Sequence, residues 1–531
     1  MSHILVPAPV SVHRTEGHFR FHSGTTVVHT ESEVSPVVER FCVELTRRTG
    51  LQLEVRTSTP EPHAPALRIE VAPRDDLRRL PAPLGVSPAG AAAPDERYAL
   101  LVDPDAVVLR AAQPIGVARG LTSLLQLAAA TPSVEPGTVS VPASHILDAP
   151  RYAWRGLSLD LARAWFILDE LRQVIDLLAL YKLNVLHLHL TDDQAWRLPM
   201  GRSAESPHRD ANFYRVDDLR ALAAYAADRF VTVVPEVDTP GHVSALVQMH
   251  QELSTGRNRV DLERPSGETQ PSVWLDPELP ATWEVVEEVL AGVAGIFLSP
   301  FLHIGGDEPR GMPHDLYTSY VRRVREYVRS IGRRPLGWQE SARAGLGRDD
   351  IIQYWRSHVA VPPSLPREVR ARMDAELLQS QRDLDVAAAA AVPVIVSPLR
   401  HCYLDVPYAE RSAHPAQTER QNRLGLRLYP PMTIAGSLDW DPAHALGDGR
   451  AAQVAGVEAA IWCETVSDFD DLTFLLLPRL AGVAQRAWAE PHAATWTEHR
   501  QSLARHARLW REDDLTYFRA PSVGWDQADR E

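Results

Sequence analysis

Two adjacent carboxylates follow a pair of glycines in the segment HIGGDE, at residues 303–308. Successive residues of a regular strand point to opposite faces, whereas glycines let the backbone leave strand geometry and approach a ligand closely. We therefore expect Asp307 and Glu308 to reach one substrate together, as acid–base chemistry by carboxylates requires. The alternative interpretation is a pair of carboxylates that caps the helix after the strand.

An acidic residue and a histidine lie four residues apart in the segment VPEVDTPGH, at residues 234–242. Asp238 and His242 flank a Pro-Gly turn and could ligate a metal, but the sequence offers no third ligand at a suitable spacing. We interpret the pair as a supporting contact in which the histidine tunes Glu308. A purely structural contact between the two side chains is the alternative.

Three of the 13 tryptophans, Trp338, Trp355 and Trp462, each follow a short apolar run. A pyranose ring has apolar C–H faces and polar edges, so aromatic walls with charged partners at the rim are typical of a sugar pocket. The sequence predicts that these three side chains line such a pocket. Core packing is the alternative for any one of them.

From about residue 150 onward, short apolar runs alternate with longer amphipathic segments, as a parallel sheet with crossover helices requires. The predicted strands are 155–161, 184–190, 231–237, 301–304, 335–338, 351–355, 392–397 and 454–462, and the predicted helices between them include 169–183, 217–229, 280–296 and 313–330. This order predicts an α/β fold with a (β/α)8 TIM barrel. The active site of such a barrel lies at the C-terminal ends of the strands.

Polar and aromatic side chains accumulate at all of these predicted strand ends. In chain order they are Arg163, Asp192, Asp193, Asp238, His242, Asp307, Glu308, Trp338, Trp355, Tyr403, Asp405, Trp462 and Glu464. A carboxylate at one strand end commonly caps a helix, and one tryptophan commonly fills space. Because every end carries such residues, the sequence predicts a binding site at this face.

The length of 531 residues favours two domains, since one hydrophobic core rarely grows so large. Residues 1–148 mix short apolar runs with helical patterns, which predicts a smaller α+β domain, and residues 149–531 form the predicted catalytic domain. Further predicted features are helices near 36–48, 116–130, 470–488 and 495–511, an exposed loop at 81–94, and an elaborated connection at 356–391.

The net charge is −14, from 55 Lys and Arg against 69 Asp and Glu, so a polyanion such as nucleic acid would be repelled. Cys42, Cys402 and Cys463 lie far apart without metal-binding spacing, which predicts free thiols. The sequence shows neither a signal-peptide pattern nor an apolar run of about 18 residues. We expect a cytoplasmic protein without a membrane partner, unless a secretion signal has been removed, and the oligomeric state is not indicated.

The sequence resembles glycoside hydrolase family 20, the β-N-acetylhexosaminidases. The segments that carry the resemblance are WRGLSLDLAR, YKLNVLHLHLTDDQAWRL, VVPEVDTPGH, LHIGGDE, LGWQE, IIQYW, CYLD and IWCET, in the family's order. Residues 1–148 also resemble the family's N-terminal domain, so the resemblance covers nearly the whole chain. HIGGDE after PEVDTPGH is a highly specific combination.

The resemblance implies a retaining exo-β-N-acetylhexosaminidase that removes terminal β-linked GlcNAc or GalNAc from a carbohydrate, without a metal or cofactor. In this family the substrate assists, because its own 2-acetamido oxygen attacks and an oxazolinium intermediate forms. Glu308 is then the general acid/base, Asp307 holds the acetamido N–H, and Tyr403 donates to the acetamido oxygen. The other implied site residues are substrate-binding Arg163, Asp192, His242, Trp338, Trp355, Asp405, Trp462 and Glu464, with Asp238 in support.

Three features depart from the family pattern. Ala164-Trp165-Phe166 stands where the family commonly has His-Phe-Phe, DDQAW replaces DDQGW, and the connection at 356–391 is longer than usual. The departures concern the pocket floor and the leaving-group side. Three other functions are open: a disaccharide-releasing enzyme of the same family, a sugar-binding protein, which would normally lack Glu308, and a metal-dependent amidohydrolase, which would need an HxH motif after the first strand.

Overall fold

A mixed β-sheet forms the N-terminal part of the chain in this computed structural model, which describes residues 5–57, 65–72, 75–131, 137–199, 212–263, 269–357 and 366–525. Its strands within these residues are β1 (Ser11–Phe21), β2 (Thr26–His29), β3 (Glu54–Arg56), β4 (Ala66–Val71), β5 (Tyr98–Val102), β6 (Ala106–Ala111) and β7 (Val139–Asp148). They pair in the order β1-β7-β5-β6-β4-β2-β3. The accompanying helices are α1 (Ser35–Thr49), α2 (Asp75–Arg78) and α3 (Pro114–Ala129).

The long helices of this part begin and end where the sequence dictates. Both α1 and α3 have a proline in their first turn, where the missing N–H has no helical partner to lose. Helix α1 ends at Gly50, whose φ of 72° is the left-handed conformation that glycine adopts without strain. Phe41 of α1 and Leu124 of α3 are buried in the core that the helices share with the sheet.

A closed parallel barrel forms the rest of the chain. Its strands are β8 (Trp154–Asp160), β9 (Val185–His189), β10 (Thr232–Thr239), β13 (Phe301–Gly305), β14 (Arg334–Trp338), β15 (Ile351–Tyr354), β16 (Val394–Val396) and β17 (Val454–Ile461), and a separate antiparallel hairpin is made by β11 (Arg259–Glu263) and β12 (Thr269–Val273). The predicted fold class is confirmed. Every barrel strand begins and ends within two residues of its predicted range.

Helices alternate with the barrel strands and close the chain. They are α4 (Leu168–Leu180), α5 (Val216–Ala227), α6 (Ser244–Met249), α7 (Pro280–Ile296), α8 (His314–Ser330), α9 (Arg367–Ala390), α10 (Leu399–Cys402), α11 (Thr418–Arg423), α12 (Phe469–Leu476), α13 (Arg479–Trp488) and α14 (Trp496–Glu512). Among the helices of the described residues, none is long and apolar enough to cross a membrane.

Three local features differ from the sequence expectation or extend it. The helix predicted over 470–488 is two helices, because Pro478 lacks the N–H that a continuous helix needs. The hairpin β11–β12 was not predicted. The connection predicted at 356–391 contains the long helix α9, and its part at 358–365 lies outside the described residues.

The loop predicted over 81–94 is mostly exposed, but its residues 84–86 contact the barrel, and we call them the seam loop. Leu84 N–H donates to the carbonyl of Arg151 (2.8 Å), and Ala153 N–H donates back to the carbonyl of Leu84 (2.8 Å). Val86 N–H donates to the carbonyl of Ala455 (2.9 Å) on the last strand, β17. The next residue of that strand, Gly456, is paired with Trp154 of the first barrel strand, β8. The seam loop therefore lies where the first and last barrel strands meet.

Buried ion pairs join the sheet to the barrel. Glu96, before β5, accepts from Arg119 Nε (2.8 Å) on α3 and from Arg155 Nη2 (2.7 Å) on β8. Asp148 at the end of β7 accepts from Lys182 Nζ (2.8 Å), which follows α4. Burial lowers the pKa of Lys182 and also that of Arg155, to about 10, although their acidic partners oppose the shift. The contact between the two parts is thus ionic as well as apolar.

Candidate active site

The turn after β13 brings Asp307 and Glu308 into the mouth of the barrel. Gly305 and Gly306 have φ values of 68° and 96°, and Glu308 itself has a φ of 43°. A Cβ atom on Gly305 would lie 1.6 Å from Asp238 Oδ1 and 2.7 Å from the Cα of Asp238. Only glycine fits there, so the two glycines of HIGGDE are required by the turn.

Asp238 holds this turn from β10, the neighbouring strand. Its Oδ1 accepts from the N–H of Gly306 (3.2 Å), and its own N–H donates to Thr191 Oγ1 (3.0 Å). Tyr317 on α8 fixes the other side of the turn, because its hydroxyl donates to the carbonyl of Gly306 (2.7 Å). Asp238 therefore positions the backbone that carries both carboxylates.

His242 lies between two carboxylates of the site. Its Nδ1 is 3.1 Å from Asp192 Oδ1, and its Nε2 is 3.6 Å from Asp307 Oδ2. Burial opposes protonation of the ring, but Asp192 and Asp307 outweigh burial and raise the pKa of His242 well above its usual value. Burial also raises the pKa of Asp307, which His242 partly offsets. The structure thus brings His242 beside Asp307, whereas no hydrogen bond joins it to Glu308 among the residues described.

Two arginines that the sequence analysis missed hold Glu308. Arg310 Nη2 donates to Glu308 Oε2 (2.8 Å), and Arg356 Nη2 donates to Glu308 Oε1 (2.7 Å). Burial by itself would raise the pKa of Glu308, but Arg310, Arg356 and His242 outweigh it and lower the pKa below its ordinary value. Glu308 is consequently ionised in this arrangement. Arg356 directly follows Trp355, and a charged residue at a strand end was the signal that could have identified it.

Aromatic rings form a continuous wall at the mouth. Trp338 and Trp462 lie with ring centroids 5.9 Å apart, Tyr403 is 6.3 Å from Trp462, and Trp355 stacks on Tyr403 at 6.0 Å with an interplanar angle of 15°. Burial raises the pKa of Tyr403 well above its usual value, so its hydroxyl keeps its proton and can donate. The three predicted tryptophans and Tyr403 are therefore brought together.

Charged groups lie beside this wall, where the guanidinium of Arg163 is 5.4 Å from the ring centroid of Trp462. Arg163 pairs with Asp160 (3.0 Å) and Asp192 (2.7 Å), and its Nε is 3.7 Å from Glu464 Oε1. Both carboxylate oxygens of Asp405 are buried without a hydrogen-bond partner of good geometry among the described residues. Burial raises the pKa of Asp405 to about 8, and the nearby Glu464 adds to the shift. A buried carboxyl in this state is available to the hydroxyl groups of a ligand.

The chain matches the model "Glycosyl hydrolase family 20, domain 2" over residues 2–149. It matches the model "Glycosyl hydrolase family 20, catalytic domain" over residues 152–314 and 310–491. The chain belongs to glycosyl hydrolase family 20. It is a glycoside hydrolase of the β-N-acetylhexosaminidase family.

Characterised relatives agree with this assignment. A β-N-acetylhexosaminidase of Cellulomonas fimi is 33% identical over 533 residues, which cover 98% of this chain and 97% of that protein. The solved family 20 β-N-acetylhexosaminidase of Streptomyces coelicolor A3(2) is 30% identical with a TM-score of 0.78, over 98% of both chains. A mutant Streptomyces plicatus β-hexosaminidase in complex with its product GlcNAc is 29% identical with a TM-score of 0.77, over 98% of this chain and 97% of that one.

Below the mouth, the barrel of this family 20 hydrolase is filled by a polar network around Glu236. Its carboxylate contacts His187 (3.1 Å), His189 (2.7 Å), His303 (2.9 Å) and Trp338 Nε1 (2.8 Å). Glu236 was not among the site residues predicted from the sequence. The signal that could have identified it is its position two residues before Asp238. Residues i and i+2 of a strand share one face, so a strand that directs Asp238 into the barrel directs Glu236 there too. The network fixes the ring of Trp338.

Among the residues that the structure describes, four groups of side chains have donor atoms close enough to hold a metal ion, which corrects the expectation that no third ligand accompanies Asp238 and His242. The groups are His187-Glu236-His303, His189-Asp192-Asp238, Asp192-Asp193-His242 and Asp238-His242-Asp307. Metal ligation requires a neutral histidine. In the three groups that contain His242 or His189, Asp192 and Glu236 outweigh burial and raise the pKa of the histidine. In the remaining group Glu236 outweighs burial and raises the pKa of His187 to about 9, so each group holds a histidine that favours the protonated form.

Proposed function

We propose that this family 20 hydrolase is a retaining exo-β-N-acetylhexosaminidase that works by substrate-assisted catalysis. The observation that carries the proposal is that Asp307 and Glu308 are neighbours on one glycine turn. An ordinary retaining glycosidase places two carboxyl groups about 5–5.5 Å apart on opposite sides of the bond. Because Asp307 and Glu308 come from one turn rather than from two separate strands, we assign the nucleophile to the substrate's own acetamido oxygen, as in the substrate-assisted families.

The two carboxylates then have separate tasks. Glu308 protonates the leaving oxygen and afterwards deprotonates the attacking water. Asp307 accepts from the acetamido N–H and stabilises the positive charge of the oxazolinium intermediate, while the hydroxyl of Tyr403 donates to the acetamido oxygen. The protonated state of Tyr403 and the position of Asp307 beside His242 support these roles.

The remaining residues hold the terminal sugar. Trp338, Trp355 and Trp462 box the acetamido group and the apolar face of the ring, as the distances within the aromatic wall support. The outer hydroxyl groups of the sugar are bound by Arg163, Asp405 and Glu464. Because Asp405 and Glu464 would bind the outer hydroxyl groups of the terminal sugar, the proposal is release of a single terminal residue rather than a disaccharide.

Three aryl substrates test the proposal: the p-nitrophenyl β-glycosides of GlcNAc, GalNAc and glucose. We expect turnover of at least one N-acetylated substrate and almost none of the glucoside, because replacing the acetamido group with a hydroxyl removes the nucleophile itself. The proposal fails if the glucoside turns over comparably. It also fails if a 2-fluoro sugar traps a covalent adduct on any carboxylate, since the enzyme would then supply the nucleophile.

A further inference from the structure

Each oxygen of the Glu308 carboxylate is occupied by a separate guanidinium group, from Arg310 and Arg356, and we call this pair the arginine clamp. Arg310 follows Glu308 on the turn after β13, whereas Arg356 follows β15. The side chains of Arg310 and Arg356 are 32% and 15% exposed, so a ligand in the mouth can reach them. A group that must donate a proton is thus held in its ionised form.

The clamp lies on the leaving-group side of the proposed reaction. The residues proposed to bind the terminal sugar come from the ends of β8 and β17 and from the segment after β16, as Arg163, Glu464 and Asp405 do. Arg310 follows β13, which lies opposite β17 in the eight-stranded barrel, whereas Arg356 follows β15, which pairs with β16. Both guanidinium groups contact the residue that donates to the leaving oxygen. A sugar attached through that oxygen therefore extends toward Arg310 and Arg356.

Within the group of Arg310, Arg356, Glu308 and Glu376, charge balances only while Glu308 is ionised, and the neighbouring His242 and Asp307 are a separate pair of opposite charges. Arg356 also pairs with Glu376 of α9, so two guanidinium groups face the carboxylates of Glu308 and Glu376. Protonation of Glu308, which its donation to the leaving group requires, leaves one positive charge in excess. Glu340, 4.0 Å from Arg356, compensates little below neutral pH because burial raises its pKa to about 7.

We propose that the arginine clamp is a leaving-group subsite for an anionic sugar, whose carboxylate or sulfate takes the two guanidinium groups from Glu308. Guanidinium groups bind carboxylates and sulfates through paired, charge-assisted hydrogen bonds. Binding of the anion frees the Glu308 carboxyl and restores the charge balance once Glu308 is protonated. This inference rests on the proposed function, because it assigns the substrate class of the same site.

Matched disaccharides test the proposal: GlcNAc β-linked to glucuronic acid, to glucose, and to glucose 6-sulfate. With the same linkage, they differ only at C6 of the leaving sugar, which carries a carboxylate, a hydroxymethyl group or a sulfate ester. We expect kcat/KM for at least one anionic disaccharide to exceed that for the neutral one by about 10- to 100-fold, the effect of a hydrogen bond between charged groups. The glucuronate and sulfate arms distinguish a uronic acid from a sulfated sugar.

Variants of the clamp supply the second readout, which is the ratio of kcat/KM between the anionic and neutral disaccharides. We expect Arg310→Gln and Arg356→Gln to bring this ratio toward one. Arg400→Gln is the control, because Arg400 is an exposed arginine after β16 that has no bond to Glu308 in the structure. It should keep the wild-type ratio.

The outcomes separate this inference from the proposed function. The inference is overturned if the wild-type enzyme cleaves p-nitrophenyl β-GlcNAc normally but shows no preference for either anionic disaccharide. It is also overturned if the preference survives in both clamp variants. If neither N-acetylated aryl glycoside is hydrolysed, the proposed function itself has failed.

Discussion

Glu308 and Asp405 lie in the same barrel mouth, yet their surroundings move their pKa values in opposite directions. Both are buried, which raises the pKa of a carboxyl group. For Glu308 the guanidinium groups of the arginine clamp outweigh burial and lower the pKa. For Asp405 burial and the neighbouring Glu464 outweigh the opposing effects of backbone N–H groups and of Arg479, and the pKa rises to about 8.

If Glu308 is the general acid as proposed, replacing it with glutamine should lower hydrolysis by about 10²- to 10⁴-fold, because general acid catalysis contributes that much. The loss should be larger for a disaccharide than for a p-nitrophenyl glycoside, since an activated leaving group needs less protonation. Steady-state kinetics on both substrates measure the difference. An equal loss on both would mean that Glu308 has only a structural role.

The pKa of Asp405 predicts a pH-dependent stability. Between pH about 4 and 8 the folded chain keeps a proton on Asp405 that the unfolded chain has lost, so the free energy of unfolding falls as the pH rises through this window. Asp405→Asn cannot titrate. We expect the variant to gain stability over the wild type from pH 5 to pH 8, by on the order of a few kcal/mol.

Urea denaturation at the two pH values measures this gain. If the stability difference between Asp405→Asn and the wild type is the same at both, the carboxyl of Asp405 is already ionised in the folded protein at pH 5. The raised pKa would then be wrong.

A site residue can be predicted from the sequence when the residues next to it in the chain already mark its position. Asp307, Glu308 and the tryptophans stand at strand ends in recognisable segments, so residue type and position were sufficient. Arg310 and Arg356 were missed because an arginine in a loop is usually a solvated surface residue. Their convergence on Glu308 depends on the spatial meeting of two strand ends, which no local pattern contains.

At the scale of elements, the barrel strands were predictable because each is a short apolar run between turn signals. The hairpin β11–β12 was not, since its segments RVDLE and TQPSV are largely polar and the second contains a proline. The break between α12 and α13 had a local signal, Pro478, but the apolar periodicity on both sides of it resembles one helix. Residues 200–211 and 264–268 lie outside the described residues.

Adding a single methyl group to the glycine turn after β13 should reduce both stability and activity. Gly305→Ala should cost about 3 kcal/mol or more of stability, because the left-handed backbone is strained for alanine and the methyl group would overlap Asp238. Displacement of the turn should also lower kcat/KM by about 10²-fold. Urea unfolding and aryl-glycoside kinetics measure the two effects.

Gly332→Ala is the matched control for this variant. Gly332 has a φ of 76°, similar to that of Gly305, but a Cβ atom there would meet nothing within 4 Å. Gly332→Ala should lose only about 1 kcal/mol of stability, from the backbone strain of alanine in the left-handed conformation, and should leave activity unchanged. If the two variants lose equal stability and activity, contact with Asp238 does not constrain the turn.

At the scale of the whole molecule, Glu96 serves both parts of the chain through Arg119 and Arg155. Glu96→Gln would leave two buried guanidinium groups without their carboxylate, and breaking a buried ion pair in this way costs about 3–5 kcal/mol. Asp95→Asn is the control, because its pair with Arg97 is partly exposed and should contribute less than about 1 kcal/mol. Chemical denaturation of the two variants compares them. Equal losses would contradict a special role for the buried pairs.

The seam loop couples the unfolding of the N-terminal part to the unfolding of the barrel. Residues of the N-terminal part bond to Arg151 and Ala153, which precede the first barrel strand, and to Ala455 on the last. A chain of two domains often melts in separate steps. Here loss of the N-terminal fold would remove hydrogen bonds from the closure of the barrel, and opening of the barrel would release the loop. The two parts should therefore form one cooperative unit, with a single calorimetric transition on heating.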